Sequence, residues 1–178
     1  MPTDLTPVIA ASTRWLLTAY PPPPGAFARA TAEAQARQAT TVAAALCHPT
    51  ALDVELLHIL GPGGSHHLDH LTGTGTGTGT DDPAHAEQSD WRTWVDETVV
   101  SWAACLLADP ALAARAHQAL AATEHPRIAG DPRRLTLPAQ RDTDAAPLLR
   151  HPDLLEPVAA LHRHRLLALL TPETSPLP

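Results

Sequence analysis

Four potential metal ligands stand close together in the segment 65–70, which reads Ser-His-His-Leu-Asp-His. His66, His67, Asp69 and His70 offer imidazole nitrogens and a carboxylate, and these are donors that bind Zn²⁺ in proteins. A protein-bound zinc ion with an open coordination position can activate water for hydrolysis. A site for zinc or another divalent metal is one interpretation of the segment, and a solvated polar linker is the favoured one.

The residue order in this segment resembles the HxHxDH zinc motif of the metallo-β-lactamase family. His67, Asp69 and His70 match that motif, and Ser65 stands where the family has its first histidine. The resemblance implies an α/β sandwich in which the motif directly follows a buried strand. Here residues 61–64 are Gly-Pro-Gly-Gly and the flanking sequence is helical. The sequence therefore favours simple metal capture over a hydrolytic centre, which needs a supporting shell around its ligands.

Glu55 and His58 form a second pair of possible ligands, with the spacing E-x-x-H. Residues three apart share one face of a helix, and di-iron carboxylate bundles use this pair twice, together with two further glutamates. No second E-x-x-H occurs in the sequence, so an ordinary histidine is the favoured interpretation of His58. Joined to the histidine cluster, the pair defines the alternative of a metal-dependent helical enzyme.

Arginines are concentrated toward the end of the chain. All 12 basic residues are arginine, and the range 127–165 holds more than half of them. Clustered arginine is the usual footprint of a phosphate or nucleic-acid site, but acidic residues are interleaved here and the net charge of −7 opposes a broad nucleic-acid surface. A nucleic-acid partner is therefore not expected. The candidate phosphate-binding residues are Arg127, Arg133, Arg134, Arg163 and Arg165.

The two cysteines, Cys47 and Cys105, lie far apart and form no C-x-x-C pair. This usage favours a reduced, cytoplasmic setting. Neither cysteine is predicted to have a base near it in the sequence, and no G-x-S-x-G, Walker or Rossmann pattern occurs. The sequence therefore predicts no catalytic residue and no cofactor, with zinc or another divalent metal as the alternative.

Membrane and secretory signals are not expected either. The N-terminal residues lack the continuous apolar region of a signal peptide. The longest charge-free apolar stretch, 98–108, has about half of the roughly 20 residues that a membrane helix needs. It is predicted to be a core helix.

Apolar residues recur every three or four positions through most of the chain, which is typical of amphipathic helices. The alanine-rich second helix is expected to have little to bury beyond Phe27, Val42 and Leu46. A helix capped by Ser89 carries Trp91, Trp94 and Trp102 on one stripe and is expected to form the heart of the fold. The predicted helices are 7–20, 26–47, 50–60, 89–106, 110–122 and 153–170, with 125–141 irregular.

The Gly-Thr alternation in 72–80 separates two helical segments. Glycine at every second position leaves a strand face unfilled and costs backbone entropy on ordering, so the sequence predicts a disordered linker. The predicted organisation is an N-terminal helical segment at 1–60, a linker at 61–88, a C-terminal helical segment at 89–171 and a loose tail at 172–178. The two helical segments are expected to pack together as one domain.

The sequence thus predicts a mainly α protein, a small bundle of about five to six helices interrupted by a disordered Gly-Thr linker. Good helix patterning without a coherent site favours a non-enzymatic protein that acts through contacts with another protein or with a second copy of itself. The two alternatives are a metal-binding protein or enzyme and a nucleic-acid accessory factor.

Overall fold

The computed structural model describes residues 4–60, 65–73, 95–123 and 133–171 of the chain. Within these ranges the chain is helical and contains no strand, which confirms the prediction of a mainly α fold. The helices are α1 (Thr6–Ala19), α2 (Ala26–Cys47), α3 (Ala51–Leu60), α4 (Ser65–Thr72), α5 (Glu97–Ala108), α6 (Pro110–Leu120), α7 (Arg133–Thr136), α8 (Gln140–Ala145), α9 (Pro147–Arg150) and α10 (Pro152–Leu170).

Helix α5 lies at the centre of the fold, between α2 and α10. Every residue from Thr98 to Leu107 is buried, as expected for a helix that is apolar on all sides. The Ser101 hydroxyl donates to the carbonyl of Ala159 at 3.2 Å, and the Trp102 indole donates to the carbonyl of His162 at 3.1 Å. Because these polar groups have partners on α10, their burial carries little penalty.

Helix α2 contributes mostly small side chains to the core. It spans the predicted range, but the expectation that it has little to bury is wrong. Phe27, expected to be one of its main apolar contacts, is 64% exposed. Small side chains at a helix contact allow the neighbouring axes to approach closely, and α1 and α5 both pack on this helix. Its fully buried alanines are Ala32, Ala36, Ala39, Ala43, Ala44 and Ala45.

Helix α5 begins later than the apolar pattern predicts. Asp96 has extended backbone angles, φ −92° and ψ 121°, and its carboxylate accepts hydrogen bonds from the N–H groups of Thr98 and Val99. Asp96 is therefore the N-cap. The prediction of a helix that runs continuously from Ser89 is wrong at residues 95 and 96. Trp91 and Trp94 lie outside the described residues, whereas Trp102 is buried as predicted.

Two other helix starts follow the predicted signals. The Asp109 carboxylate accepts hydrogen bonds from Ala111 and Leu112 and caps α6. The backbone N–H of Thr50 donates to the Asp53 carboxylate, and the N–H of Asp53 donates to the Thr50 hydroxyl, which are the reciprocal bonds of a capping box at the start of α3. The prediction of irregular backbone over 125–141 is wrong for α7, which lies wholly within that range, and for residues 140 and 141, where α8 begins.

Helix α4 lies within the range predicted to be a linker. Leu68 and Asp69 are buried, and the Asp69 carboxylate accepts a hydrogen bond of 3.0 Å from the indole N–H of Trp15 on α1. These contacts favour a docked helix over a solvated loop, so the linker prediction is wrong for residues 65–72. The Gly-Thr repeat that motivated it lies outside the described residues from 74 onward.

Candidate metal centre

Cys47 and His48 stand at the C-terminal end of α2. Cys47 is the last helical residue, and the N–H of His48 donates to the carbonyl of Ala44 at 2.8 Å. The following Pro49 disfavours helical backbone at the residue before it, and His48 accordingly leaves the helix with φ −119° and ψ 71°. The Cys-His-Pro order therefore ends the helix and presents a thiol and an imidazole side by side.

Asp96 reaches the same place from the beginning of α5. Its Oδ1 caps the helix and accepts from the N–H groups of Thr98 at 2.8 Å and Val99 at 3.3 Å. Its Oδ2 lies 3.5 Å from Nε2 of His48. The carboxylate is thus held by one oxygen, and the other oxygen faces the imidazole.

The packing of α2 on α5 brings three chemically different donors together. The ligand atoms of Cys47, His48 and Asp96 all lie within 4.8 Å of one another. His48 is only 7% exposed, while Cys47 and Asp96 are half-buried. Nε2 of His48 is buried and makes no well-aligned hydrogen bond within the described part of the chain. A buried polar atom without a partner costs free energy, so it calls for a physical explanation.

The charges around this cluster disfavour a free thiolate. Burial raises the pKa of the Cys47 thiol, and the Asp96 carboxylate raises it further, while Arg165 opposes both effects. Burial also works against ionisation of Asp96, but the contact with His48 and the two backbone N–H donors lower its pKa below the ordinary value. A protonated thiol therefore lies beside an ionised carboxylate. A bound divalent cation would instead lower the pKa of the Cys47 thiol, because a coordinating thiol loses its proton.

The donor set of Cys47, His48 and Asp96 suits zinc. Thiolate and imidazole are preferred by Zn²⁺ over Mg²⁺ and Ca²⁺, which take oxygen ligands. With bond lengths of about 2.0 to 2.3 Å, a tetrahedral zinc site holds its ligand atoms roughly 3 to 4 Å apart. The 3.5 Å contact between His48 and Asp96 already falls in that range. Three protein ligands would leave a fourth position for water or another group.

The metal ligands that the sequence predicts are a different set of residues from Cys47, His48 and Asp96. The side chains of His58, His66, His67 and His70 lie outside the described part of the structure. Glu55 is exposed on α3, and Asp69 is buried against Trp15. The metal site predicted from these residues stays a prediction.

The candidate phosphate-binding arginines that the structure describes lie on α7 and α10. Arg163 makes two hydrogen bonds of 2.6 Å to the Glu156 carboxylate on the same helix. Arg165 is exposed on α10, and its charge lowers the pKa of the Cys47 thiol. Arg133 and Arg134 belong to α7. Arg127 lies outside the described residues. The phosphate-binding prediction for the full set also stays a prediction.

The cysteine prediction needs correction, because Cys47 does have a base next to it in the sequence, namely His48. The Cys-His pair at a helix end was the available signal. The third member is hidden in the sequence, because the predicted helix 89–106 contains Asp96 in its interior. Its actual position depends on the packing of α2 on α5.

No protein-family model matches the sequence, and no curated protein or solved structure is similar to it. Among the described helices, none has the length and apolar character required to cross a membrane. The geometry of the site is therefore the main guide to function.

Proposed function

We propose that the protein binds one Zn²⁺ ion, or another thiophilic divalent cation, through Cys47, His48 and Asp96. The observation that supports this most is the convergence of a thiol, an imidazole and a carboxylate within 4.8 Å. The ion would give Nε2 of His48 a well-aligned partner and would compensate the negative charge of the carboxylate next to Cys47.

The proposed role of the ion is structural. It would join the end of α2 to the beginning of α5, and these two helix ends bracket the whole segment 49–95. Clips that close long loops remove conformational entropy from the unfolded chain, so they gain the most stabilisation in principle. The fourth coordination position allows a further ligand, but a hydrolytic role would also need a positioned general base.

A metal titration with cysteine variants tests the site. Purified protein stripped with a chelator should take up one equivalent of Zn²⁺. With Co²⁺ as a spectroscopic substitute, it should show a near-ultraviolet charge-transfer band from a thiolate ligand. Cys47→Ala should abolish the band. The matched control, Cys105→Ala, should retain it, because Cys105 is buried in the core and donates to Ala159.

A histidine variant separates this site from the one suggested by the sequence. Replacing His66, His67 and His70 together by alanine should leave the stoichiometry and the cobalt band unchanged. If that triple variant loses the metal and Cys47→Ala keeps it, the ion belongs to α4 and the proposal is wrong. Absence of stoichiometric zinc and cobalt binding in the wild-type protein would also refute it.

Protein contacts, the function that the sequence favours, have one supporting observation on α3. Leu52, Leu56 and Ile59 follow the spacing of one helical face, and they are 67%, 42% and 76% exposed. Such a stripe is self-complementary when two copies pair in antiparallel orientation. The second candidate function is therefore self-association through α3.

Sedimentation velocity over a range of concentrations tests this second candidate. Wild-type protein should form a dimer, and Leu56→Glu should shift it to monomer. Phe27→Glu is the matched control, since it removes an exposed apolar side chain from α2 and should leave the dimer intact. A monomeric wild-type protein at all concentrations, or a dimer that survives Leu56→Glu, would contradict self-association through α3.

A further inference from the structure

Three arginines meet at a cleft formed by α7, α8 and the turn between them. Arg133 and Arg134 come from α7 and Arg141 from α8, and the cleft has a volume of about 340 Å³. Asp142 lines the same cleft. Three arginines and one aspartate thus line the cleft, so its lining has an excess of basic residues in a chain whose net charge is −7.

The backbone that carries these arginines is held from several sides. The buried Asp142 carboxylate accepts from the N–H of Ala139 at 3.1 Å, and Gln35 of α2 donates to the carbonyl of Asp142 at 3.2 Å. Arg150 donates to the carbonyls of Arg134 and Leu107. The cleft is therefore built on backbone that is fixed to the core, so an anion would bind without ordering a loop.

Asp142 also organises the charges. Its Oδ1 lies 3.5 Å from a terminal nitrogen of Arg134, and this contact orients that guanidinium. Arg141 is exposed. Guanidinium groups donate two parallel N–H bonds to phosphate oxygens, so clustered arginine favours phosphate over a spherical anion.

An apolar cleft adjoins the cationic one. It has a volume of about 540 Å³ and is lined by residues of α6 together with Thr136 and Leu137. Leu137 lines both clefts and is 80% exposed, the most exposed large apolar side chain among the described residues. An apolar side chain in this position offers a ligand an apolar contact directly beside the cationic cleft.

We propose that the two clefts together bind a phosphate monoester that carries a compact apolar group. The phosphate would lie against Arg133, Arg134 and Arg141, and the apolar group would pack on Leu137 toward α6. A polyanion fits less well, because nucleic acid binding relies on basic residues spread along a surface and the overall charge opposes it. This site is separate from the metal cluster, which lies at the junction of α2 and α5.

Calorimetric titration with three small probes tests the proposal. Phenyl phosphate should bind most tightly, inorganic phosphate more weakly, and phenol without detectable heat. Arg141→Gln should weaken both phosphate-containing probes by roughly tenfold, which corresponds to the loss of one charge-assisted contact. Leu137→Ala should weaken phenyl phosphate by roughly fivefold and leave inorganic phosphate unchanged.

Arg29→Gln is the matched control, because it removes one exposed arginine from α2 and should leave all three affinities unchanged. Equal binding of phenol and phenyl phosphate, or unchanged affinity in Arg141→Gln, would overturn the proposal. So would salt-sensitive binding of a single-stranded oligonucleotide in the absence of any binding of phenyl phosphate. That last result would identify the arginines as a nucleic-acid contact.

Discussion

The two cysteines lie in regions that look alike in chemistry but differ in how their polar groups are paired. Near Cys105, the thiol donates to Ala159 at 3.3 Å and the imidazole of His162 lies 3.0 Å from Glu97. Near Cys47, the imidazole of His48 has no well-aligned partner among the described residues. Both regions contain a thiol, an imidazole and a carboxylate. A closed set of hydrogen bonds indicates a structural role, whereas a buried donor set left open indicates a ligand.

The difference follows from the backbone groups that each region offers. Near Cys105 the kink of α10 at His162, with φ −128° and ψ 16°, frees backbone groups that bond to Ser101 and Trp102. Near Cys47 one oxygen of Asp96 is occupied in capping α5, and only the other oxygen faces the imidazole of His48, at 3.5 Å. The polar side chains near Cys47 therefore have fewer partners within the described residues.

Truncating Trp102 should have the largest effect, because it removes a large buried side chain from the α5–α10 region. We expect Trp102→Ala to lower the free energy of unfolding by about 3 to 5 kcal/mol, the usual cost of deleting a buried aromatic ring. Urea denaturation monitored by circular dichroism measures this change. A loss below about 1 kcal/mol would show that this region is not the core of the fold.

Zinc should stabilise the protein through the Cys47 region and not through the Cys105 region. At a free zinc concentration one hundred times the dissociation constant, a bound ligand raises the free energy of unfolding by about 2.7 kcal/mol. We expect this increment in the wild-type protein and in Cys105→Ala, and none in Cys47→Ala. Denaturation with and without added zinc measures it. An equal increment in both cysteine variants would abolish the contrast between the regions.

Much of the helical architecture is visible in the sequence, because it depends on local signals. Asp109 before Pro110 predicts the start of α6, and Thr50 with Asp53 predicts the capping box of α3. The spacing of apolar residues alone does not show whether a neighbouring helix packs on the face that they form. The apolar stripe of α3 remains exposed, whereas the alanines of α2, which carry a weak apolar signal, are buried against two neighbours.

The candidate metal centre could be predicted only in part. The neighbouring Cys47 and His48 are evident in the sequence, but Asp96 joins them through packing between residues almost 50 positions apart. The same limit applies to the arginine cleft, where Gln35 of α2 bonds to the backbone carbonyl of Asp142, more than 100 positions away in the sequence.

The smallest expected effect distinguishes two aspartates that share a capping role. Asp96 and Asp109 each accept two backbone hydrogen bonds at a helix start, and replacing an N-cap aspartate by alanine costs about 1 kcal/mol. Without zinc, Asp96→Ala and Asp109→Ala should therefore lower the free energy of unfolding by similar amounts. With zinc in excess, only Asp96→Ala should lose the additional ligand stabilisation.

The pH dependence provides an independent check on Asp96. Because its pKa is lowered in the folded protein, its ionised form contributes stability that is complete above the unfolded value near 4 and is lost as the pH falls through the folded pKa. Asp96→Asn in metal-free protein should flatten the loss of stability in this acid range, as measured by urea denaturation at a series of pH values. An unchanged pH profile would mean that neither His48 nor the helix start favours the ionised carboxylate, and the electrostatic argument for a cation at this site would then fail.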